Sequence, residues 1–291
     1  MNDGKLVILA GGISSRMKKP VELKETVDNR LIDDSNKKTK SMIRVGQNLR
    51  PFLDYLLYNA RESGYKEILI VIGEKDDSIK EYYGEKDSSN DFYGLSISYA
   101  VQKIPQGKEK PIGTADALYQ GLLSKKEWHK KRFTVCNSDN LYSQLALKFM
   151  LKEDHQNSMI DYDRNSLEFD LDRIVKFAVT IKNEENYLVN ILEKPTEKEI
   201  EKARDKQGVI GVSMNIFNLQ YDMILPFLER VPFHPVRQEK ELPEAVKMLA
   251  NEFPKSVFAY SLAEHVPDLT HKNDILIVKK YLEEHFPNFK F

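Results

Sequence analysis

Two glycines and an arginine follow the first apolar run of the sequence. The run KLVILA leads directly into Gly11 and Gly12, and Arg16 follows shortly afterwards. Glycine lets backbone N–H groups approach phosphate oxygens closely, and the arginine guanidinium adds a forked cationic donor. The turn therefore predicts a binding site for a phosphate chain.

Polar and charged side chains also stand where later strands are expected to end. Gln102 ends the run LSISYAVQ, Asp139 follows FTVCNS, Glu193 and Lys194 follow YLVNI, and Asp268 follows FAYSLAEHV. Ligands in open α/β sheets bind at the carboxyl ends of the strands. The sequence therefore predicts that these side chains and the glycine turn surround one site.

Several other chemistries can be excluded from the sequence. It contains no G-x-x-x-x-G-K-[ST], no G-x-G-x-x-G and no G-x-S-x-G, so neither a P-loop, a Rossmann dinucleotide site nor a hydrolase nucleophile elbow is expected. The six histidines show no metal-ligand spacing. The single cysteine, Cys136, lies within an apolar run, so we expect a buried and unreactive thiol.

Strand-like and helix-like segments that could position these residues alternate through the first half of the chain. Apolar residues in PFLDYLLYNARES recur at helical spacing before Gly64, and the buried strand KEILIVIG follows. The rhythm continues with the helix DDSIKEYY, the strand LSISYAVQ, the helix TADALYQGLL and the strand RFTVCN. This alternation predicts an α/β protein with a doubly wound, mostly parallel mixed sheet.

The pattern changes after residue 150. KFAVTIKN and YLVNILEKP alternate as paired strands around a turn at 183–186, which predicts a smaller β region. VIGVSMNIFNL is predicted to form one further strand, and residues 274–285 an amphipathic helix. Residues 21–40 and 155–172 are charged and lack periodicity, so we expect both to be surface loops.

Composition and charge limit the class of protein. The 291 residues include 44 basic and 45 acidic side chains, and the formal net charge of −1 gives no reason to expect nucleic acid or an anionic membrane as a partner. A single cysteine excludes an internal disulfide and a cysteine-based zinc cluster. No apolar run approaches the ~18–20 residues of a membrane span, and the first residues lack a secretory apolar region. We therefore expect a cytoplasmic protein.

Six stretches of the sequence resemble the motifs of one enzyme family. LAGGISSRM resembles the L-[AG]-G-G-x-G-[ST]-R-[ML] signature of the sugar-1-phosphate nucleotidyltransferases, the NDP-sugar pyrophosphorylases. The other five, in family order, are KSMIRVGQNLRPFLDYLL, YAVQ ahead of IGTADAL, VCNSDN, ILEKP and VPDLTHKND. The ordered set extends over nearly the whole chain and is specific to the superfamily, but it does not define the base or the sugar.

The resemblance implies both a fold and a reaction. The fold would be glycosyltransferase-A-like, in a single nucleotidyltransferase domain spanning 1–291, with a nucleotide-binding half at 1–150 and a sugar-phosphate-binding half with the C-terminal helix at 151–291. In such enzymes an oxygen of a sugar 1-phosphate attacks the α-phosphorus of a nucleoside triphosphate, and pyrophosphate leaves. The nucleophile is already anionic, so catalysis needs positioning and charge neutralisation instead of a general base.

The resemblance also implies roles for individual residues. The residues expected to be catalytic are Arg16, Lys40, Asp139 and Lys194. The expected nucleotide-binding residues are Leu9, Gly11, Gly12, Arg16, Gln102 and Gly113. The expected sugar-phosphate-binding residues are Glu193, Lys194 and Asn215. Mg²⁺ is the implied cofactor, and its expected ligands are Asp139 and Asp268, because this ion takes hard oxygen ligands and phosphate oxygens.

Some residues depart from the family pattern. Ser14 and Ser138 stand where glycines are usual, and Ala178 and Met214 replace glycines on the sugar side. These changes leave open transfer to a non-sugar phosphate, such as phosphocholine or a polyol phosphate. They also leave open a catalytically silent relative that binds nucleotide or sugar phosphate as a sensor or assembly subunit. The expected partners are small molecules, a nucleoside triphosphate and a sugar 1-phosphate, and a homo-oligomer is compatible with the resemblance.

Overall fold

The computed structural model describes residues 4–12, 14–19, 27–193 and 195–291. Their central element is an eleven-stranded mixed sheet. Its strands are β1 (Gly4–Ala10), β2 (Tyr65–Gly73), β3 (Asn90–Phe92), β4 (Leu95–Gln102), β5 (Arg132–Asn137), β6 (Asn157–Asp163), β7 (Ala178–Lys182), β8 (Leu188–Leu192), β9 (Gly211–Ser213), β10 (Phe217–Gln220) and β11 (Val257–Leu262). The spatial order is β3-β4-β2-β1-β5-β10-β6-β9-β7-β8, and β11 pairs with β6.

Helices cover both faces of this sheet. They are α1 (Asn29–Lys37), α2 (Phe52–Ser63), α3 (Ser78–Tyr83), α4 (Thr114–Leu123), α5 (Gln144–Met150), α6 (Leu171–Ile174), α7 (Glu197–Lys202), α8 (Tyr221–Arg230), α9 (Leu242–Glu252) and α10 (Asp274–His285). None of the helices in the described ranges is long and apolar enough to cross a membrane.

The parallel part of the sheet is formed by β4, β2, β1 and β5. Leu6 and Ile8 of β1 belong to a core shared with α2, α5 and α10 on one face. Val7 and Leu9 belong to a second core shared with α4, α8 and α9 on the other face. A strand buried on both faces is a continuous apolar run, which is why the sequence predicts the doubly wound α/β sheet correctly.

The predicted loop at 21–40 is wrong for its described part. Helix α1 occupies Asn29–Lys37, and Asp28 caps it by accepting a hydrogen bond from the backbone N–H of Arg30. Asp34 is buried in this helix and receives two hydrogen bonds, of 2.7 and 2.8 Å, from the Arg44 guanidinium. The buried residues of the helix are Leu31, Asp34 and Ser35, so two of its three buried side chains are polar and the apolar signal in the sequence is weak. Residues 21–26 of the predicted loop lie outside the described residues.

The predicted loop at 155–172 is also wrong, because it contains the buried strand β6. This strand pairs with β10, β9 and β11 and thereby connects the two parts of the sheet. Its carboxylate, Asp161, accepts hydrogen bonds from Thr180 and from the ammonium group of Lys182. A buried charge with such partners is tolerated in a strand, but it makes the strand look like a charged loop in the sequence.

The stretch VIGVSMNIFNL forms two strands instead of the predicted one. The break between β9 and β10 falls at Asn215, which has a left-handed backbone with φ 57°. Asparagine is one of the few side chains that adopt this conformation readily. The break lets β9 pair with β6 and β7 while β10 pairs with β5 and β6.

Candidate active site

A cleft of about 370 Å³ lies at the carboxyl ends of β1, β4 and β5. The predicted site residues that line it are Leu9, Gly11, Gly12, Arg16, Lys40, Gln102, Gly113, Asp139, Glu193 and Asn215. Asp268 does not line this cleft but lies behind Asp139, as described below. Lys194 lies outside the described residues. The structure thus brings together residues from five separate motifs.

Gln102, at the end of β4, is fixed by its neighbours. Its Nε2 donates hydrogen bonds to the carbonyl of Gly113, at 2.9 Å, and to Asp116 Oδ2, at 2.8 Å. A Cβ at Gly11 would lie only 2.7 Å from Gln102 Oε1. Glycine at position 11 therefore leaves room for the glutamine amide, and the end of β1 packs directly against this polar group.

Ser14 takes the backbone conformation that a glycine would adopt. Its φ is 55°, in the left-handed region that is costly for most side chains. The hydroxyl Oγ accepts a hydrogen bond of 3.3 Å from the backbone N–H of Lys40. The substitution of glycine by serine therefore keeps the shape of the turn and ties it to the Lys40 segment.

Lys40 and Asp139 form an ion pair in the middle of the cleft. Lys40 Nζ lies 2.8 Å from Asp139 Oδ2, and both side chains are largely buried. Burial alone would lower the pKa of the Lys40 ammonium, but the charge and hydrogen bond of Asp139 outweigh it, and the pKa is raised above its usual value. Lys40 is therefore a permanent cation, beside the exposed Arg16 of the glycine turn.

A short antiparallel bridge places Asp268 next to Asp139. The backbone N–H of Leu269 donates to the carbonyl of Asp139, and that of Leu141 donates to Pro267, both at 2.9 Å. Asn140 Nδ2 donates to Asp268 Oδ2 at 3.2 Å. Burial, together with the negative charge of Asp139, raises the pKa of Asp268 to about 6.

Asp268 is also held from the side away from the cleft. Arg173 Nη2 lies 2.8 Å from Asp268 Oδ1, and Arg173 Nη1 lies 2.9 Å from Asp274 Oδ1. Thr270 Oγ1 donates a further hydrogen bond to Asp268. The sequence gives no signal for Arg173, which directly follows the charged stretch 155–172 that is predicted to be a loop.

The carboxylates of Asp139 and Asp268 suit a hard cation that takes its other ligands from outside the protein. No group of three or more histidine, cysteine, aspartate or glutamate side chains able to hold a metal occurs among the described residues. Two neighbouring carboxylates, Asp139 and Asp268, are present instead. Mg²⁺ is commonly bound by one or two carboxylates together with waters and substrate phosphates. The two aspartates therefore fit the small number of protein carboxylates that a Mg²⁺ ion usually keeps.

One end of the cleft carries charged residues of which only Glu193 is predicted from the sequence. We call it the acidic end, and its residues are Lys110, Glu193, Arg237, Glu239 and Glu241. Arg237 pairs with Glu193 at 3.1 Å and with Glu241 at 2.6 Å, and Lys110 pairs with Glu239 at 2.5 Å. Three of the five lie in the run RQEKE, which in the sequence cannot be distinguished from a solvated charged loop.

The fold is that of an α/β protein with a polar cleft at the carboxyl edge of its parallel strands. The chain belongs to the nucleotidyl transferase family, whose model matches residues 28–272. This confirms the family expected from the six motifs. The glycine turn precedes the matched range, so its likeness to the family rests on its sequence.

Curated relatives and solved structures agree with this assignment. The D-glycero-alpha-D-manno-heptose 1-phosphate guanylyltransferase of Campylobacter jejuni is 26% identical over 54% of this chain and 59% of its own length. The glucose-1-phosphate adenylyltransferase of Koribacter versatilis is 23% identical over 76% of this chain and 49% of its own length. The chain thus spans about half the length of these relatives. The UTP-bound UGPase of Acinetobacter baumannii has the same fold, with a TM-score of 0.69, 19% identity and coverage of 97% and 94%.

Proposed function

We propose that the protein is a Mg²⁺-dependent nucleotidyltransferase that couples a nucleoside triphosphate to a sugar 1-phosphate and releases pyrophosphate. The observation that carries the proposal is the ion pair of Lys40 and Asp139, which lies in one cleft with the glycine turn and Gln102. This arrangement combines backbone amides, a permanent cation and a carboxylate, which are the groups that phosphoryl chemistry requires.

The named relatives support the reaction class and leave the substrates to experiment. One is a guanylyltransferase of a heptose 1-phosphate, another an adenylyltransferase of glucose 1-phosphate, and the solved UGPase carries UTP. All three names involve a nucleotide, but they differ in base or sugar. We therefore propose the common reaction, and a substrate panel must determine the particular base and acceptor.

The mechanism follows from the charges in the cleft. The attacking oxygen of a sugar 1-phosphate is already anionic, so no side chain has to remove a proton from it. Lys40 and Arg16 would neutralise the charge that develops on the departing pyrophosphate, and the amides of Gly11 and Gly12 would hold phosphate oxygens. We also propose Lys194 as the partner of the sugar phosphate, because the E-K-P motif places it there in the family.

Gln102 and Gly113 would contact the base. The amide of Gln102 is held by Gly113 and Asp116, so its orientation is set before a nucleotide binds. A preset hydrogen-bonding group costs less conformational entropy on binding than a free side chain. Leu9 also lines the cleft and offers an apolar surface.

Asp139 and Asp268 would hold Mg²⁺. When bound, the ion supplies positive charge to the triphosphate and helps to orient it. Asn140, Thr270 and Arg173 hold the Asp268 carboxylate beside Asp139, so the two ligands keep their relative position.

A panel of substrates tests the proposed reaction. Pyrophosphate release is measured for four or five nucleoside triphosphates, each combined with common sugar 1-phosphates, with phosphocholine and with a polyol phosphate. We expect release that requires Mg²⁺, one triphosphate and one sugar 1-phosphate. Release with a non-sugar phosphate alone would refute the sugar acceptor. Triphosphate binding without release from any pair would refute the enzyme and favour the sensor.

Asp139→Asn tests the metal assignment, and Asp33→Asn is its matched control. Asp33 is a half-exposed aspartate that pairs with Lys37 on the surface of α1. We expect kcat of Asp139→Asn to fall by about 10²-fold or more, because the variant would hold Mg²⁺ poorly and the bound ion contributes several kcal/mol of transition-state charge stabilisation. Asp33→Asn should keep normal activity. Near-normal turnover of Asp139→Asn in a folded protein would contradict the assignment.

A further inference from the structure

One guanidinium at the acidic end is shared by two carboxylates. Arg237 Nη2 lies 3.1 Å from Glu193 Oε2, and Arg237 Nη1 lies 2.6 Å from Glu241 Oε1. Glu193 follows β8, whereas Arg237 and Glu241 belong to the segment between α8 and α9. The planar fork of arginine suits two carboxylates at once. Arg237 therefore fixes the direction of Glu193 from across the cleft.

The segment that carries Arg237 is itself anchored to the cleft wall. The backbone N–H of Lys240 donates to the carbonyl of Ile112 at 2.6 Å, and the Lys240 carbonyl accepts from Ala115 at 3.0 Å. Thr114 Oγ1 accepts a hydrogen bond of 3.0 Å from the backbone N–H of Leu242. These contacts hold the segment against the start of α4 and thereby fix the backbone that carries the Arg237 side chain.

The acidic end carries more negative than positive charge. Its described residues include three carboxylates, Glu193, Glu239 and Glu241, against the two cations Lys110 and Arg237. Each cation is already paired, and Arg237 serves two carboxylates. Ionised carboxylates accept hydrogen bonds and donate none. Such a surface suits hydroxyl groups and repels a further anion.

The residues that line the cleft also affect whether it could bind a quaternary ammonium group. Such a cation has no N–H to offer to a carboxylate, and proteins recognise it with the faces of aromatic rings. None of the described residues that line the cleft is aromatic. The acidic end therefore offers no aromatic cage for a choline headgroup.

We propose that Arg237 is a positioning residue that holds Glu193 for sugar hydroxyls, so that the cleft selects an uncharged polyhydroxy phosphate over an acidic or a quaternary-ammonium one. This inference rests on the proposed function, and it adds a residue outside the six motifs and a preference among phosphorylated acceptors. Arg237 acts through Glu193, because the ion pair keeps the Glu193 carboxylate from rotating away from the cleft.

Calorimetric binding to the full chain tests the selectivity. The probes are glucose 1-phosphate, glucuronic acid 1-phosphate and phosphocholine, each titrated with Mg²⁺ and with the α,β-methylene triphosphate that raises the melting temperature most. We expect glucose 1-phosphate to bind at least about ten-fold more tightly than the other two probes. The carboxylates repel the acidic sugar, and phosphocholine has no hydroxyl groups for Glu193 and finds no aromatic cage. Equal affinities, or no binding of any probe, would overturn the selectivity.

Variants test the role of Arg237. In Arg237→Gln we expect the affinity for glucose 1-phosphate to fall about ten-fold, because Glu193 loses its charge-assisted partner, and Arg237→Lys should recover part of the loss. Triphosphate affinity should stay unchanged. Arg230→Gln, which breaks the exposed pair with Glu252 on α8 and α9, is the matched control and should bind like the wild type.

The double variant separates positioning from direct contact. If Arg237 acts through Glu193, Arg237→Gln should add little to the loss already caused by Glu193→Gln. Additive losses would overturn the positioning role and indicate direct contact with the acceptor. An equal loss of triphosphate affinity in Arg237→Gln would overturn it in favour of general disruption. These are binding measurements, so a wild type that releases no pyrophosphate refutes the proposed function without deciding this inference.

Discussion

Gly113 occupies a position where a single methyl group should have a measurable cost. It has φ 113° and ψ 177°, a region that only glycine adopts readily. A Cβ there would lie 2.3 Å from the carbonyl oxygen and 2.8 Å from the nitrogen of Lys240. Both contacts are with backbone atoms, so a side-chain rotation cannot relieve them. We expect Gly113→Ala to shift the Lys240 segment away from the start of α4.

The magnitude follows from what the shift breaks. The backbone conformation costs about 1–3 kcal/mol for a residue with a Cβ. The Lys240 backbone makes two hydrogen bonds, with Ile112 and Ala115, and each contributes about 1 kcal/mol. The expected loss in the free energy of unfolding is therefore about 3–5 kcal/mol. An unfolding entropy of about 2.1 cal/mol/K per residue converts this loss into a fall of about 5–8 °C in melting temperature.

Gly107→Ala is the matched control. Gly107 also has a positive φ, of 81°, but no atom lies within 4 Å of a Cβ built there. Its cost is the backbone strain alone, about 1–2 kcal/mol, or about 2–3 °C. Calorimetric melting of both variants gives the difference due to the clash. If Gly113→Ala melted within about 1 °C of Gly107→Ala, the clash argument would be refuted.

The same pair of variants tests the nucleotide end of the cleft. The Gly113 carbonyl accepts the hydrogen bond that fixes Gln102, so a shift at position 113 should also loosen the amide proposed to read the base. We expect weaker triphosphate binding in Gly113→Ala and unchanged binding in Gly107→Ala, measured by calorimetry at a temperature where both variants are folded. Unchanged binding in both would contradict the role proposed for Gln102.

Two further predictions concern buried groups. Burial would raise the pKa of Asp34, but the hydrogen bonds from Arg44 outweigh burial and lower the pKa. The contribution of the Asp34–Arg44 pair to the free energy of unfolding is therefore present above about pH 4 and is lost as the pH falls through the folded-state pKa. In urea unfolding at pH 7, we expect Asp34→Asn to lower the free energy of unfolding by about 1.5–3 kcal/mol, and this difference from the wild type should narrow in acid. A difference that is independent of pH would contradict the reasoning. Burial raises the pKa of the Cys136 thiol, so Ellman's reagent should label it only on unfolding, and rapid labelling of the native protein would show the residue to be accessible.

The sequence predicts those parts of the fold that are stabilised by local or purely apolar contacts. The parallel strands are continuous apolar runs, because both faces of β1 and β2 are buried. Helix α2 ends where Gly64 takes a φ of 105° and donates its N–H to the last turn, as the glycine stop signal predicts. Gln102 and Asp139 follow apolar strands, so their place at the sheet edge could be predicted as well.

The elements that the sequence does not predict depend on partners far along the chain. Strand β6 can be buried because Lys182 forms an ion pair with Asp161. The two residues are 21 positions apart, so the sequence close to Asp161 does not indicate this partner. Arg237 reaches the cleft only because its segment pairs with the start of α4. Contacts of this kind are specified by the whole fold, so local propensity and periodicity cannot reveal them.

The bridge between Asn140 and Asp268 also has a consequence for the order in which the protein is made. The glycine turn, Gln102 and Asp139 leave the ribosome first, but the partner of Asn140 lies 128 residues further on. At about 5–20 residues per second, roughly 6–26 seconds separate the two events. The Asp139 carboxylate therefore waits for its neighbour while β6, β10 and β11 are still being synthesised. A nascent chain can therefore complete the parallel part formed by β4, β2, β1 and β5 well before Asp139 and Asp268 lie side by side.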